Sequence, residues 1–436
     1  MLSLEDNTFL TETGPGSPMG NLLRRYWVPV LLSEELPEPG CPPVRTQIMG
    51  ERLIAVRDTN GRFGLLQEAC AHRCASLYFG RNEGPDEPGG SPGVRCAYHG
   101  WKYDLSGQCI DMPNEPKTSR FKDHIKIKAY PAAERGGVIW AYMGPPELQP
   151  ALPELEWAMV PEHHRFVSKR LEFCNFAQAM EGGIDSSHVS FLHSDARLFN
   201  PDWNRAGNGT LRAGLARDTS PRFFIEPTDY GMLIGARRQY GPTEYYWRIT
   251  QWLMPWYTFI PRDGDGEIGA HAWVPIDKER CWAFSISYHP DRPLTKDEVD
   301  LFRRGGSIHA VVDEAFEPVQ RASNDYQIDR LLQKTVSFSG IRGIAIQDVA
   351  MQESMGAVVD REAEHLGSAD AAIVAARRRL IGEARALVGG AEHPSGLDAV
   401  SQRVRSGSAV LPADAESWVD ATADIRAADS KHYVNS

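Results

Sequence analysis

Cys70-Ala-His72 and, after 23 intervening residues, Cys96-Ala-Tyr-His99-Gly-Trp are the stretches whose reading decides this chain. Each offers one thiol and one imidazole within a few residues, the content of a hairpin tip. A [2Fe–2S] centre with two thiolates on one iron and two imidazoles on the other takes this set, and the neutral imidazoles lessen its negative charge and raise its potential. A zinc ion accepts the same four donors, and two unconnected Cys/His pairs are a further alternative. The matched tips, the β-rich surroundings and the trailing His-Gly-Trp favour the iron–sulfur reading.

Outward from the tips, 44–144 reads as short β-runs broken by turns, such as 52–57, Asn60-Gly61 and 63–66. Residues 84–93 are Gly, Pro, Ser and acidic, hence a loop between the tips. Pro145-Pro146 to Pro153 reads as a linker, which puts a boundary near 150. The expected layout is 1–43 helical or extended, 44–150 the metal-cluster domain, 151–390 a catalytic domain and 391–436 a polar surface tail. Beyond 150 a helix-like stretch at 175–193 precedes long β-runs at 231–240, 245–256, 269–275 and 281–289, and helical patterns return at 296–304 and 348–387. Strand runs followed by helices indicate an α+β chain with a large antiparallel sheet.

Composition sets outer limits. With 436 residues, 42% hydrophobic and 24% charged, the chain can bury a substantial core and is neither disordered nor fibrous. The formal charge of −11 argues against nucleic acid as a partner. No apolar run reaches the ~20 residues of a membrane span, and no secretory signal opens the chain, so a cytoplasmic protein is expected. Seven cysteines in such a chain are buried or metal-bound more often than disulfide-paired.

A second constellation is Glu181-Gly-Gly-Ile-Asp185-Ser-Ser-His188-Val-Ser-Phe-Leu-His193. Two imidazoles and a carboxylate form the facial triad of non-haem Fe(II) oxygenases. Alone, His-x4-His is weak, since such histidines are more often surface or core residues. On a regular helix His188 and His193 lie about 140° apart, so a helix end or a bulge has to bring them together. The carboxylate candidates are Asp348, Glu353 and Asp360. Asp185 is either a solvated or capping residue or a carboxylate that orients His188.

These residues, with Arg73-Cys74-Ala-Ser-Leu-Tyr-Phe-Gly-Arg81 and Lys102-Tyr103-Asp104 beside the tips, resemble the Rieske non-haem iron oxygenases, the phthalate 4,5-dioxygenase group above all. The resemblance runs from Gly14 to the helix near Arg379; the loop at 84–93 widens the usual gap between the tips. It implies an all-β Rieske domain followed by a helix-grip-like catalytic domain. By resemblance Cys70, His72, Cys96 and His99 hold the cluster, His188, His193 and Asp348 hold the mononuclear Fe(II), and Asp185 bridges His99 of one subunit to His188 of the next in a homotrimer or a pair of trimers. Cys74 is read as a small packed residue, not half of a disulfide.

The implied activity is that of a terminal oxygenase that uses O2 to oxidise an aromatic carboxylate, by cis-dihydroxylation of a phthalate-like substrate or by O-demethylation of a methoxylated acid. A Rieske electron-transfer protein is the alternative of another class, but it leaves Asp185, His188 and His193 without a task. The sequence has no plant-type cysteine run for a second cluster, so NADH is expected to act through a separate flavin or iron–sulfur reductase. Aromatics are dense between 200 and 290, among them Phe224, Tyr245, Trp247 and Trp252. Arginine clamps carboxylates bidentately. Arg248, inside an apolar run, and Arg212 are the expected substrate ligands.

Overall fold

The computed structural model describes residues 2–194, 215, 218–261, 266–429 and 431–434. The chain divides into two compact units, one of Thr13–Gly16 and Gly20–Pro150, the other of Met1–Glu12, Ser17–Met19 and Ala151–Ser436.

The smaller unit is all-β apart from short helical turns. Its six-stranded antiparallel sheet runs Trp27–Leu32, Val138–Tyr142, Ala129–Arg135, Phe63–Gln67, Glu51–Arg57, Val44–Ile48. The turn between Arg57 and Phe63 is the expected one: Gly61 takes φ +80°, and the Asp58 carboxylate accepts from the Asn60 and Arg62 amides. A four-stranded sheet, Arg81–Glu83, Gly93–Arg95, Lys102–Tyr103 and Cys109–Asp111, carries the second tip. The loop at 84–93 is tied down from this sheet. Lys102 donates to the Gly84 carbonyl at 3.1 Å, and Arg95 donates to that of Pro88 at 2.5 Å.

The larger unit is built on an eight-stranded antiparallel sheet. Its order is Arg165–Glu172, Cys281–Tyr288, Ile268–Pro275, Tyr257–Ile260, Glu244–Leu253, Gly231–Gly241, Arg222–Thr228, with Gly407–Pro412 also paired to Glu244–Leu253. The helix Phe176–Ile184 packs on this sheet, and a Cβ on Gly183 would lie 2.3 Å from Trp273 Cη2 and 2.4 Å from Thr258 Oγ1. Only glycine permits that approach. The expected α+β class holds.

Two of the expected segments are redrawn. Residues 1–43 are no separate segment. Leu4–Thr11 belongs to the larger unit, where Asn7 donates to the Val359 carbonyl and Arg385 to Asp6, while the apolar run Trp27–Leu32 is a fully buried strand of the smaller one. The tail is no surface appendage either. Gly407–Pro412 extends the sheet, Trp418 stacks on Trp247 at 5.0 Å, and Arg405 and Tyr433 both reach the fully buried Glu156. A buried carboxylate requires such partners. The helical pattern over 348–387 is two helices, Ile344–Ser354 and Ala371–Val388. Among the described residues no helix is long and apolar enough to cross a membrane.

One packed histidine ties stability to pH. His309 lies between the Ser168 hydroxyl at 2.7 Å and the Ser287 hydroxyl at 3.0 Å, with Phe166 and Phe302 against its ring. Burial, aided by the nearby His271 and Arg170, pushes its pKa down from 6.5 to about 3. The unfolded chain therefore binds a proton that the folded chain refuses between those values, and folding stability drops as pH falls from 6.5 towards 3. His309→Gln is expected to lose less Tm than the parent between pH 7 and 5. Equal slopes in parallel melts would remove His309 from the acid response.

Candidate active site

Two clusters of donors stand out, one in each unit. In the smaller unit the tips are alike: the Cys70 amide donates to the Ala75 carbonyl at 2.9 Å and the Cys96 amide to that of Trp101 at 2.8 Å. Gly100, at φ +78°, turns the second tip, where a Cβ would meet Pro113 Cγ at 2.6 Å. Cys70 and Cys96 are buried and His72 and His99 half-buried. The imidazole rings meet edge-on at 4.4 Å, and His72 stacks on Trp101 at 4.6 Å. His72 Nδ1 is buried without a hydrogen-bond partner. An orphaned imidazole nitrogen facing a second imidazole and two buried thiols is a donor set that a [2Fe–2S] cluster fits. Tyr103 supports the site through its hydroxyl, 3.2 Å from Cys70 Sγ. Cys74, expected to be packed, is instead exposed in the left-handed region at φ 59°, because the tip turns outward there; all seven cysteines are free.

In the larger unit the helix Phe176–Ile184 ends as the spacing of the two histidines demands. Asp185 is its C-cap in extended conformation, and His188 opens a 3-10 turn over His188–Ser190. Asp185 is thus not a helix-face neighbour of His188. Its carboxylate accepts from the Ser187 amide at 2.6 Å, and from the His188 amide and Nδ1 at 3.3 Å each. His188 Nε2 and His193 Nε2 lie 3.1 Å apart, and Asp348 Oδ1 lies 3.6 and 3.2 Å from them. These three donor atoms all fall within 4.8 Å of one another, the one such group among the described residues. Two imidazole nitrogens pointed at each other and at one carboxylate fit a divalent cation.

Cross-ties hold this arrangement. The Gln178 side chain donates to the Gln352 and Gly356 carbonyls, and Gln352 Nε2 donates back to the Ala179 carbonyl, which fixes the helix bearing Asp348 against the one that ends at Asp185. Glu181 accepts from Arg361 and Arg377, both buried, and their charges hold its carboxyl below the usual range against the opposing effect of burial. The two other carboxylate candidates are engaged elsewhere. Glu353 accepts from the Phe173 amide and the Tyr326 hydroxyl, and Asp360 accepts from the Glu362 amide.

The arginines sort by sheet face. Arg237 lies over Tyr245 at 4.1 Å and Arg222 over Phe224 at 5.3 Å, on the side where Phe224 and Trp247 pack against Trp418. Several of the aromatics expected in a pocket therefore belong to a core under the C-terminal segment. Ala236 opposes Arg248 and Arg238 opposes Tyr246, so Arg238 and Arg248 share the other face. Burial works against a charge on His193, Asp348 works for it and prevails, and Arg248 is near enough to oppose it. Arg248 Nε is buried without a partner, and no carboxylate among the described residues pairs with either arginine. Arg238, which the sequence reading did not single out, is fully buried. It donates to the Ser186 carbonyl at 2.6 Å, and burial and the Arg248 charge push its pKa down to about 10. Arg212 lies outside the described residues.

Comparison with known proteins accords with both clusters. Residues 26–131 match the Rieske [2Fe-2S] domain, and residues 141–435 match the family described as LigXa C-terminal domain like. The oxygenase subunit of phthalate 4,5-dioxygenase from Pseudomonas putida is 36% identical over 96% of this chain and 94% of its own length. That of 3-chlorobenzoate-3,4-dioxygenase from Comamonas testosteroni is 35% identical over 94% and 96%. Among solved structures, dicamba monooxygenase bound to 3,6-dichlorosalicylic acid superposes with a TM-score of 0.57 at 19% identity, covering 85% of this chain and 99% of that one, a likeness of fold. A Rieske cluster and a mononuclear iron are the cofactors of such oxygenases. The chain belongs to the family of Rieske oxygenase subunits with a LigXa-like C-terminal domain.

Proposed function

We propose that the chain is the terminal oxygenase for an aromatic carboxylate, oxidised by cis-dihydroxylation with electrons from a separate flavin-containing reductase. In this reading Cys70, His72, Cys96 and His99 ligate the cluster, and His188, His193 and Asp348 ligate Fe(II). The convergence of those last three donors carries the proposal. When bound, the cluster passes single electrons and the Fe(II) activates O2.

The chain's own residues supply the rest. Asp185 accepts the Nδ1 proton of His188 and keeps its Nε2 lone pair turned inward. Arg248 holds the substrate carboxylate, and Arg238 adds positive charge on the same face. Two cations on one sheet face, neither ion-paired to a carboxylate among the described residues, favour an anionic ligand, and the names of the phthalate and chlorobenzoate relatives point to the same class. For oligomeric state the reading is a homotrimer or a pair of trimers. Its support is exposed apolar surface beside each cluster: Phe79, Tyr98 and Phe121 on the smaller unit, Phe191 and Phe338 on the larger.

Incubation with a panel of benzoates and phthalates and a surrogate reductase, with products read by mass spectrometry, tests the reaction. A cis-diol is expected; formaldehyde from methoxybenzoates would make the chain an O-demethylase, and no product from any acid would end the carboxylate reading. Arg248→Ala is expected to raise KM roughly ten- to hundredfold, the loss of a charged hydrogen bond of about 1.5–3 kcal/mol. Unchanged kinetics in a folded variant would take Arg248 out of the pocket.

A further inference from the structure

We propose that Gln347 is a positioning residue for the mononuclear iron site, fixing His193 as the Nδ1–H tautomer with Nε2 free to ligate. The inference rests on the reading of His193 as an iron ligand and adds a residue that the sequence reading passed over.

Gln347 is buried, with Oε1 2.7 Å from His193 Nδ1 and Nε2 2.8 Å from the Ile341 carbonyl. A carbonyl can only accept, so the amide nitrogen faces Ile341 and the amide oxygen faces His193. That oxygen has no proton to give, so His193 Nδ1 must carry one. The neutral ring then has its lone pair on Nε2, the atom 3.2 Å from Asp348 Oδ1 and 3.1 Å from His188 Nε2. Gln347 and Asp348 are consecutive in the helix Ile344–Ser354, so one helical turn addresses both nitrogens of a single imidazole. Gln347 is itself anchored, its backbone N–H donating to the Gly343 carbonyl at 3.0 Å.

His188 is held differently, by the charged Asp185. The two histidines thus have unlike orienting partners, a carboxylate on one and a neutral amide on the other. The amide orients His193 without adding a further negative charge beside Asp348.

The test separates iron affinity from stability. Gln347→Leu keeps the volume and removes the acceptor. It is expected to lower Tm, because the Ile341 carbonyl and the His193 Nδ1–H lose their partner, and to weaken Fe(II) binding roughly 10–100-fold, the usual effect of losing a partner that orients a metal-bound histidine. Gln347→Glu keeps the acceptor but sets a second oxygen against the Ile341 carbonyl. It is expected to lower Tm at least as far as Leu does, yet to bind Fe(II) more tightly than the Leu variant. Both are measured by titrating Fe(II) into protein depleted of mononuclear iron with its cluster retained, alongside thermal melts. A packing role alone would make affinity follow Tm, and that outcome, or Leu binding as the parent does, overturns the proposal. If the Leu variant does not fold, Gln347→Met takes its place with the same expectation. His193→Ala is the control. Should it lose iron while the Leu variant keeps it, only this inference falls; should it keep iron, the ligand reading falls as well.

Discussion

Alanine at His188 or at Asp348 is expected to abolish turnover while leaving the visible absorption of the Rieske cluster unchanged. The two donor sets share no residue and belong to different compact units. His188, His193 and Asp348 converge without help from any other His, Cys, Asp or Glu among the described residues, so losing one leaves two donors where a facial site needs three. Removing Asp348 also takes away the one carboxylate that offsets the charge of a divalent cation there. Iron analysis should fall from about three per chain to about two, with two retained in the cluster. Asp348→Asn, close in volume, should fail as Ala does if ligation is the cause, whereas a packing defect would be rescued. Bleaching of the cluster spectrum on His188→Ala would sink the assignment of two separate sites.

Local chemistry was legible in the sequence; long-range geometry was not. The cysteine and histidine tips announce themselves because four donors from two short hairpins need few other residues to be recognised. The five-residue spacing of His188 and His193 already required a helix end or a bulge, and the structure supplies the former, with the helix ending at Ile184. Choosing Asp348 over Glu353 and Asp360 needed the resemblance, since all three follow the sheet. In the structure Glu353 and Asp360 serve backbone amides and a tyrosine hydroxyl instead. Gln347 and Arg238 gave no signal. An amide in a helix and an arginine in a strand are ordinary until the fold sets His193 beside one and Ser186 beside the other. The C-terminal segment misled for a related reason. Small and polar residues read as a surface tail, yet Arg405 and Tyr433 complete the buried Glu156, a partner more than 240 residues away in the chain. Sheet pairing, as between Gly407–Pro412 and Glu244–Leu253, is a contact that periodicity cannot assign.

Asp185→Asn is expected to keep both metal centres and their spectra and to slow turnover roughly 10–100-fold, the range for a residue that orients a metal-bound histidine. The carboxylate now accepts three hydrogen bonds, two from backbone amides and one from His188 Nδ1. An asparagine oxygen can serve some of these, but its NH2 group repels any donor that faces it, and the negative charge is lost. The turn should therefore survive while the orientation of His188 loosens. Single-turnover mixing of reduced enzyme, substrate and O2 reads the effect as slowed reoxidation of the cluster; an unchanged rate would leave Asp185 a mere helix cap. The same carboxylate tests the proposed path between subunits. Cys96→Ser removes cluster function from a chain, and His188→Ala removes its iron site. Each is inactive alone, yet in a head-to-tail ring an intact cluster on one chain can face an intact iron site on the next. Random one-to-one mixing puts the productive pair at about a quarter of the interfaces, one half times one half. Co-expression should thus restore up to about that share of parental activity. Mixed oligomers that remain inactive although both parents fold would confine electron transfer to a single chain, and Asp185 would then be left with His188 as its only partner in the path.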